Sequence, residues 1–102
     1  MRVISVKTLK EFWRRHADAE GPLLDWYEVT ERARWRNFVE VKQTFGTADA
    51  VKVASGNTVT VFDIGGNKYR LIAAIHYNAG VVYALMVLTH REYDTSKWKA
   101  RL

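Results

Sequence analysis

Lys68, Arg70, His90 and Tyr93 are the side chains of this sequence best suited to act on a phosphodiester. Cleavage of such a bond by a neighbouring 2′-hydroxyl needs a group to take the hydroxyl proton, cations for the charge growing on the phosphorus oxygens, and an acid for the leaving 5′-oxygen. An imidazole serves at either end of that proton traffic, because the ordinary pKa of a histidine is near neutrality. Guanidinium and ammonium groups supply charge, and a phenol stacks on a base or donates a hydrogen bond. Such a set requires no metal and no cofactor. The three histidines are scattered and no cysteine accompanies them, so no metal-ligand spacing stands out.

Each of these residues also has a plainer reading. Lys68 and Arg70 flank a hairpin, where charges commonly do no more than solvate an edge. Glu92 has the spacing of a capping residue after Thr89, and Tyr93 can simply be packed. His16 and His76 sit inside apolar patterns and read as core or interface residues, whereas His90, between Thr89 and Arg91, reads as exposed. Trp13 and Trp26 follow helical faces, and Trp98 is expected to fold the tail back onto the domain.

The elements that must position these groups lie in the second half. From Val51 the hydrophobic period is strand-like, with β-rich runs at Val51–Ala54, Thr58–Ile64, Lys68–Tyr77 and Val81–Thr89. Ser55-Gly56-Asn57, Gly65-Gly66-Asn67 and Asn78-Ala79-Gly80 separate them as tight turns, so neighbouring strands are antiparallel. Alternation along Lys68–Tyr77 puts Lys68, Arg70, Ile72, Ala74 and His76 on one face. If Asn78-Ala79-Gly80 closes a three-residue hairpin, Tyr77 faces Val81, Arg70 faces Leu88 and Lys68 faces His90. The cations then meet the segment Thr89–Asp94, with its imidazole, carboxylates and phenol.

Before residue 51 the period is helical. Ser5 or Thr8 can cap a first helix, with Leu9, Phe12, Trp13, His16 and Ala17 on one face. Gly21-Pro22 ends it and starts a second helix carrying Leu23, Trp26, Tyr27, Thr30 and Ala33, so the two form a hairpin. Asn37-x-x-Glu40 caps a short third helix closed by Gly46, and Thr89-x-x-Glu92 opens a short C-terminal one. The expected fold class is α+β: an N-terminal helical hairpin packed on a small, mainly antiparallel four-stranded sheet, with a short C-terminal helix. The opposite face of the sheet is free to stay open.

A chain of 102 residues builds one core, so residues 1–102 are read as a single domain. With 13% aromatic residues it is far from the composition of a disordered chain. The absence of cysteine excludes disulfides and thiolate metal sites. The N-terminus becomes charged before any stretch of signal-peptide length, and no apolar run reaches membrane-spanning length, so the expected location is cytoplasmic. The net charge of +5 favours polyanionic partners. Residues 1–51 hold nine basic against eight acidic side chains, while residues 52–102 hold seven against three, which places the surplus in the second half of the chain.

The stretch Gly65-Gly66-Asn67-Lys68-Tyr69-Arg70-Leu71-Ile72-Ala73, followed by Val87-Leu88-Thr89-His90-Arg91-Glu92-Tyr93-Asp94 and Trp98-Lys99, resembles the HigB family of mRNA interferase toxins. The resemblance covers nearly the whole chain, in pattern more than in residues over the N-terminal half. It implies a RelE-like fold, metal-independent cleavage of mRNA in the ribosomal decoding site, and neutralisation by a helix-turn-helix antitoxin of the HigA kind in a hetero-oligomer. It also implies catalytic roles for Lys68, Arg70, His90 and Tyr93. Asn67, Arg91, Lys97 and Lys99, which flank these four, are the candidates for RNA contacts. The competing expectation is a non-catalytic RNA- or ribosome-binding module that uses the same basic face for phosphates.

Overall fold

In the computed structural model, which describes residues 1–102, the chain opens with a three-residue strand, β1 (Arg2–Ile4), and turns at once into α1 (Val6–Arg15). Ser5 makes that turn in the left-handed region, at φ 73°, and caps nothing with its side chain. Thr8, the other candidate cap, lies inside the helix, which has already begun at Val6. α1 buries Leu9 and Phe12. A 3-10 turn at Ala17–Ala19 then leads into α2 (Glu20–Arg32), which buries Leu23, Trp26 and Thr30. Pro22 stands in the first turn of α2, where its missing N–H would have had no intrahelical partner. Asn37 caps α3 (Phe38–Thr44) as expected, its Oδ1 accepting the Glu40 N–H at 3.1 Å.

The remaining strands are β2 (Asp49–Lys52), β3 (Thr58–Ile64), β4 (Tyr69–His76) and β5 (Val81–Thr89). They are followed by α4 (His90–Asp94) and a 3-10 turn at Lys97–Arg101. The sheet has five strands in the order β1-β5-β4-β3-β2, not four. The additional one is β1, which runs parallel to β5 and is too short to show a period in sequence. β2 lies earlier than Val51–Ala54, because Val53 already belongs to the turn: its N–H donates to the Asn57 carbonyl at 2.9 Å.

The β4–β5 hairpin shows how the candidate site keeps its register. His76, not Tyr77, faces Val81, so the turn holds four residues instead of three. A bulge between Ile72 and Ala73 adds one residue on β5 and restores the count, and Arg70 faces Leu88 as expected.

The helices cover one face of the sheet. There Leu9, Leu23, Trp26, Trp35 and Val41 pack against Phe62, Ile64, Leu71 and Ala73. Phe62 is the centre of an aromatic group, with Trp26, Phe45 and Trp35 rings 5.3, 5.3 and 6.2 Å away. The opposite face does not stay open. The C-terminal segment folds over it, burying Trp98 against Val53, Val59, Val61, Ile72 and Leu88. Two polar devices hold that segment in place. The capping box at α4 is complete, with Thr89 and Glu92 each accepting the other's backbone N–H. The Ala54 N–H donates to the Lys99 carbonyl at 3.1 Å. No helix is long and apolar enough to cross a membrane.

Because Phe62 is 1% exposed and joins both helical and strand neighbours, Phe62→Ala is expected to destabilise the fold by about 3–5 kcal/mol in urea titrations. Val39→Ala, at a position 64% exposed, should stay within about 0.5 kcal/mol of the parent. Equal losses at the two positions would contradict this core.

Candidate active site

β4 ends its pairing with β5 where α4 begins, and that junction carries the candidate groups. Tyr69 faces Thr89 in the sheet, and one step beyond it the His90 N–H donates to the Lys68 carbonyl at 3.0 Å. The start of β4 and the start of α4 are therefore tied by backbone, and their side chains hold fixed relative positions.

Arg70 is the most enclosed of these side chains, at 9% exposure, where the sequence pattern suggested an accessible edge charge. Burying a guanidinium is tolerated only when its charge and donors are met. Its Nε is 3.2 Å from Asp63 Oδ1, the residue directly opposite on β3. One terminal nitrogen donates to the Tyr69 carbonyl at 3.1 Å, the other to Asn67 Oδ1. Its face lies over the Tyr93 ring, 5.5 Å from the centroid. Tyr93 in turn stacks on Trp98 at 5.4 Å and 20°, and the Trp98 indole N–H donates to the Tyr93 carbonyl at 3.1 Å. Guanidinium, phenol and indole thus form one pile, with the buried Trp98 as its base. Burial, and next the Asp49 carboxylate, push the Tyr93 hydroxyl above the ordinary tyrosine pKa against the opposing influence of Arg70. Tyr93 is a phenol at neutral pH, a donor and not a base.

His90 opens α4 and is partly exposed. Its Nδ1 stands 2.8 Å from Asp94 Oδ2, one helical turn on. A carboxylate at that nitrogen favours the tautomer with the proton on Nδ1, which leaves Nε2 to exchange protons with a ligand.

Lys68 does not share the Arg70 face. It lies in the turn before β4, where strand alternation does not apply, and its Nζ reaches Asp18 on the helix side at 3.0 Å. The Tyr69 hydroxyl donates to the same carboxylate. That hydroxyl first, and the Lys68 ammonium next, hold the Asp18 carboxyl below its ordinary value. The structure therefore gathers Arg70, Tyr93 and Asn67 into one cluster with His90 at the adjoining helix start, and sets Lys68 apart on the helix-facing flank. Arg91 and Lys97 are exposed on the C-terminal segment, and Lys99 lies over the Trp98 ring at 5.9 Å. His16 is partly buried, stacked on Phe12 and tilted against Tyr69, whereas His76 is exposed at the far end of β4 with only the Tyr83 ring edge-on.

Asp63 and Asp18, and the pairing of Asp94 with His90, were not read from the sequence. Counting back through the Gly65–Lys68 turn would have set Asp63 opposite Arg70, and the four-residue spacing of His90 and Asp94 marks a helical pair. Asp18 has no such signal, since its partners lie fifty residues away.

Residues 19–96 match a family model described as HigB toxin, RelE-like toxic component of a toxin-antitoxin system. The chain is similar to the mRNA interferase toxin HigB of Escherichia coli K12, with 26% identity over 94 residues, covering 92% of this chain and 88% of the relative. The mRNA interferase HigB proteins of Escherichia coli O157:H7 and Shigella flexneri align with the same identity and coverage. The family match spans most of the chain, and the helices, five-stranded sheet and short C-terminal helix agree with a RelE-like α+β fold. The chain belongs to the HigB toxin family, the RelE-like toxic component of toxin–antitoxin systems.

Proposed function

We propose that this chain is a type II toxin that acts as a ribosome-dependent mRNA endonuclease, using its own side chains for proton transfer and for transition-state charge. The observation that carries this reading is the junction of β4 with α4, where a backbone hydrogen bond from His90, whose imidazole is paired with Asp94, to Lys68 ties the start of α4 to the strand that carries the Arg70 guanidinium over Tyr93. His90 Nε2 takes the 2′-OH proton or protonates the 5′-oxygen, and the arrangement suits either role. Arg70 has five N–H groups, of which two donate to Asn67 and the Tyr69 carbonyl while Nε is ion-paired with Asp63, so each terminal nitrogen keeps one N–H for phosphate oxygens. Tyr93 donates its hydroxyl or stacks on a base. Lys68, Asn67, Arg91, Lys97 and Lys99 surround that centre and serve the flanking phosphates, with Lys68 shared between the RNA and Asp18. Relatives named for mRNA interference support mRNA as the substrate. A helix-turn-helix antitoxin of the HigA kind is the proposed neutralising partner, and the cytoplasm the place of action.

One observation favours a second reading. Arg70 is so enclosed that it also fits a purely structural cation, in a module that binds ribosomes without cutting. Single-turnover cleavage of a programmed ribosome at saturating protein separates the two. The parent should cut the message, and His90→Ala should slow cleavage by about two to four orders of magnitude while still binding. A folded parent that binds but never cuts would establish the binding module.

For Arg70 the informative variant is Arg70→Lys, since Ala would strand Asp63 and unseat Tyr93. Lysine keeps the charge but loses the planar fork, and cleavage at saturation should fall by on the order of a hundredfold. A parental rate would make Arg70 a structural residue only. Tyr93→Phe should lower the rate yet keep the parental shape of the pH–rate profile between about pH 6 and 9, because the raised phenol pKa places its deprotonation above that window. A rising alkaline limb present in the parent and lost in Tyr93→Phe would mean that the phenolate acts as base.

A further inference from the structure

Four of the six arginines in the first half of the chain converge at the end of the sheet away from the candidate site. Arg2, Arg32, Arg34 and Arg36 line a groove of about 730 Å³ between the C-terminal end of α2, the connection to α3, β1 and the turn Tyr77–Gly80. All four are exposed. Arg36 is engaged by Glu40, with Nη2 2.9 Å from Oε2. Arg2, Arg32 and Arg34 enter no ion pair. Glu31 is the one acidic residue in the lining, and its Oε2 already accepts the Val3 N–H at 2.7 Å. A cation in the last turn of a helix complements the helix dipole, which accounts for Arg32. It does not account for Arg2 or Arg34, which belong to no helix.

The chemistry of the groove is that of a phosphate backbone and not of bases. Guanidinium forks match phosphate oxygens two at a time. A groove for single-stranded RNA would add exposed aromatic faces for stacking. Here Trp35 is 4% exposed, stacked on Phe62, with its indole N–H donating to Thr44 Oγ1 at 3.0 Å, and Tyr77, the other aromatic residue in the lining, is half-buried against the core. Along β4 the groove is seven residues from Arg70, roughly 23 Å at about 3.3 Å per residue. The two places are therefore separate surfaces at opposite ends of the strand.

We infer that this arginine-lined groove is a second RNA-contact surface, which takes the phosphate backbone of folded ribosomal RNA while the β4–α4 junction holds the message. The inference rests on the ribosome-directed function proposed above. It assigns positioning on the ribosome to one end of the sheet and chemistry to the other.

The test measures binding of the full-length protein to purified 70S ribosomes over a range of salt concentrations. Arg2→Gln/Arg32→Gln/Arg34→Gln should reduce the salt slope by about two to three, and the affinity at 0.1 M salt by roughly a hundredfold, through lost counterion release. The matched control, Lys7→Gln/Lys10→Gln/Arg14→Gln on α1, should bind as the parent does. Arg2→Lys/Arg32→Lys/Arg34→Lys should recover most of the slope. Arg34→Gln alone, in the connection outside both helices, should give about a third of the slope change and covers the case of a triple variant that does not fold. Cleavage by the Gln triple variant at saturation should match the parent, since none of the three residues lies at the junction. Parental binding by the folded Gln triple variant overturns the inference, as does a parent that does not bind ribosomes. Retained ribosome binding with lost antitoxin binding would make the groove a protein interface and overturn the RNA assignment. A parent that binds through the groove but cuts no message sinks the endonuclease proposal and leaves the groove standing.

Discussion

A buried guanidinium organises the end of the sheet where the candidate site lies. Desolvating a cation is unfavourable by several kcal/mol unless its charge and donors are met nearby, and the surroundings of Arg70 can be read as answers to that demand. β3 contributes Asp63, the turn contributes Asn67, the backbone contributes the Tyr69 carbonyl, and α4 contributes the Tyr93 ring. These partners come from three stretches of chain, β3, the turn leading into β4, and α4, so the site exists only when the β3–β4 hairpin and the C-terminal segment are both in place. Trp98 closes the arrangement from below. Its burial is what keeps a five-residue helix, too short to be stable alone, against the sheet.

The helix layer reaches the same end of the sheet by a different route. Asp18 lies in the 3-10 turn between α1 and α2 and accepts from both Tyr69 and Lys68. Tyr69 points into the helix-side core while its neighbour Arg70 points to the C-terminal segment, so the two ends of one peptide unit report on opposite layers. A displacement of α1 and α2 is thereby carried to the first residues of β4.

Much of this was legible in the sequence because it follows from short-range rules. Turn residues bounded the strands, two capping spacings placed Asn37 and Thr89, and strand alternation set Leu71 and Ile72 on opposite faces, which the structure covers with the helices and with the tail. What escaped depends on long-range encounters. β1 pairs with a strand nearly eighty residues later, and no local pattern announces it. Lys68 left the Arg70 face because the turn, not the strand, owns it. The register at Arg70 was right for an incomplete reason, since a longer turn and a bulge offset each other. The burial of Arg70 was missed because a lone cation in an amphipathic strand carries no mark of its partners until the register supplies Asp63 and the tail supplies Tyr93.

The shortness of β1 has a bearing on solubility. It pairs only with Val81–Tyr83, and the outer edge of β5 beyond them presents backbone donors and acceptors to whatever comes alongside. α1 stands next to that stretch, and Glu11, Arg15, Glu92 and Arg101 line the gap between helix and strand. A foreign strand entering there would have to desolvate four charges before making its first ladder bond. On the other side of the sheet, β2 is short and exposes Asp49 and Lys52. Both borders of the sheet are thus guarded by charge, which disfavours end-on growth into fibrils during the intervals when a toxin stands without its antitoxin.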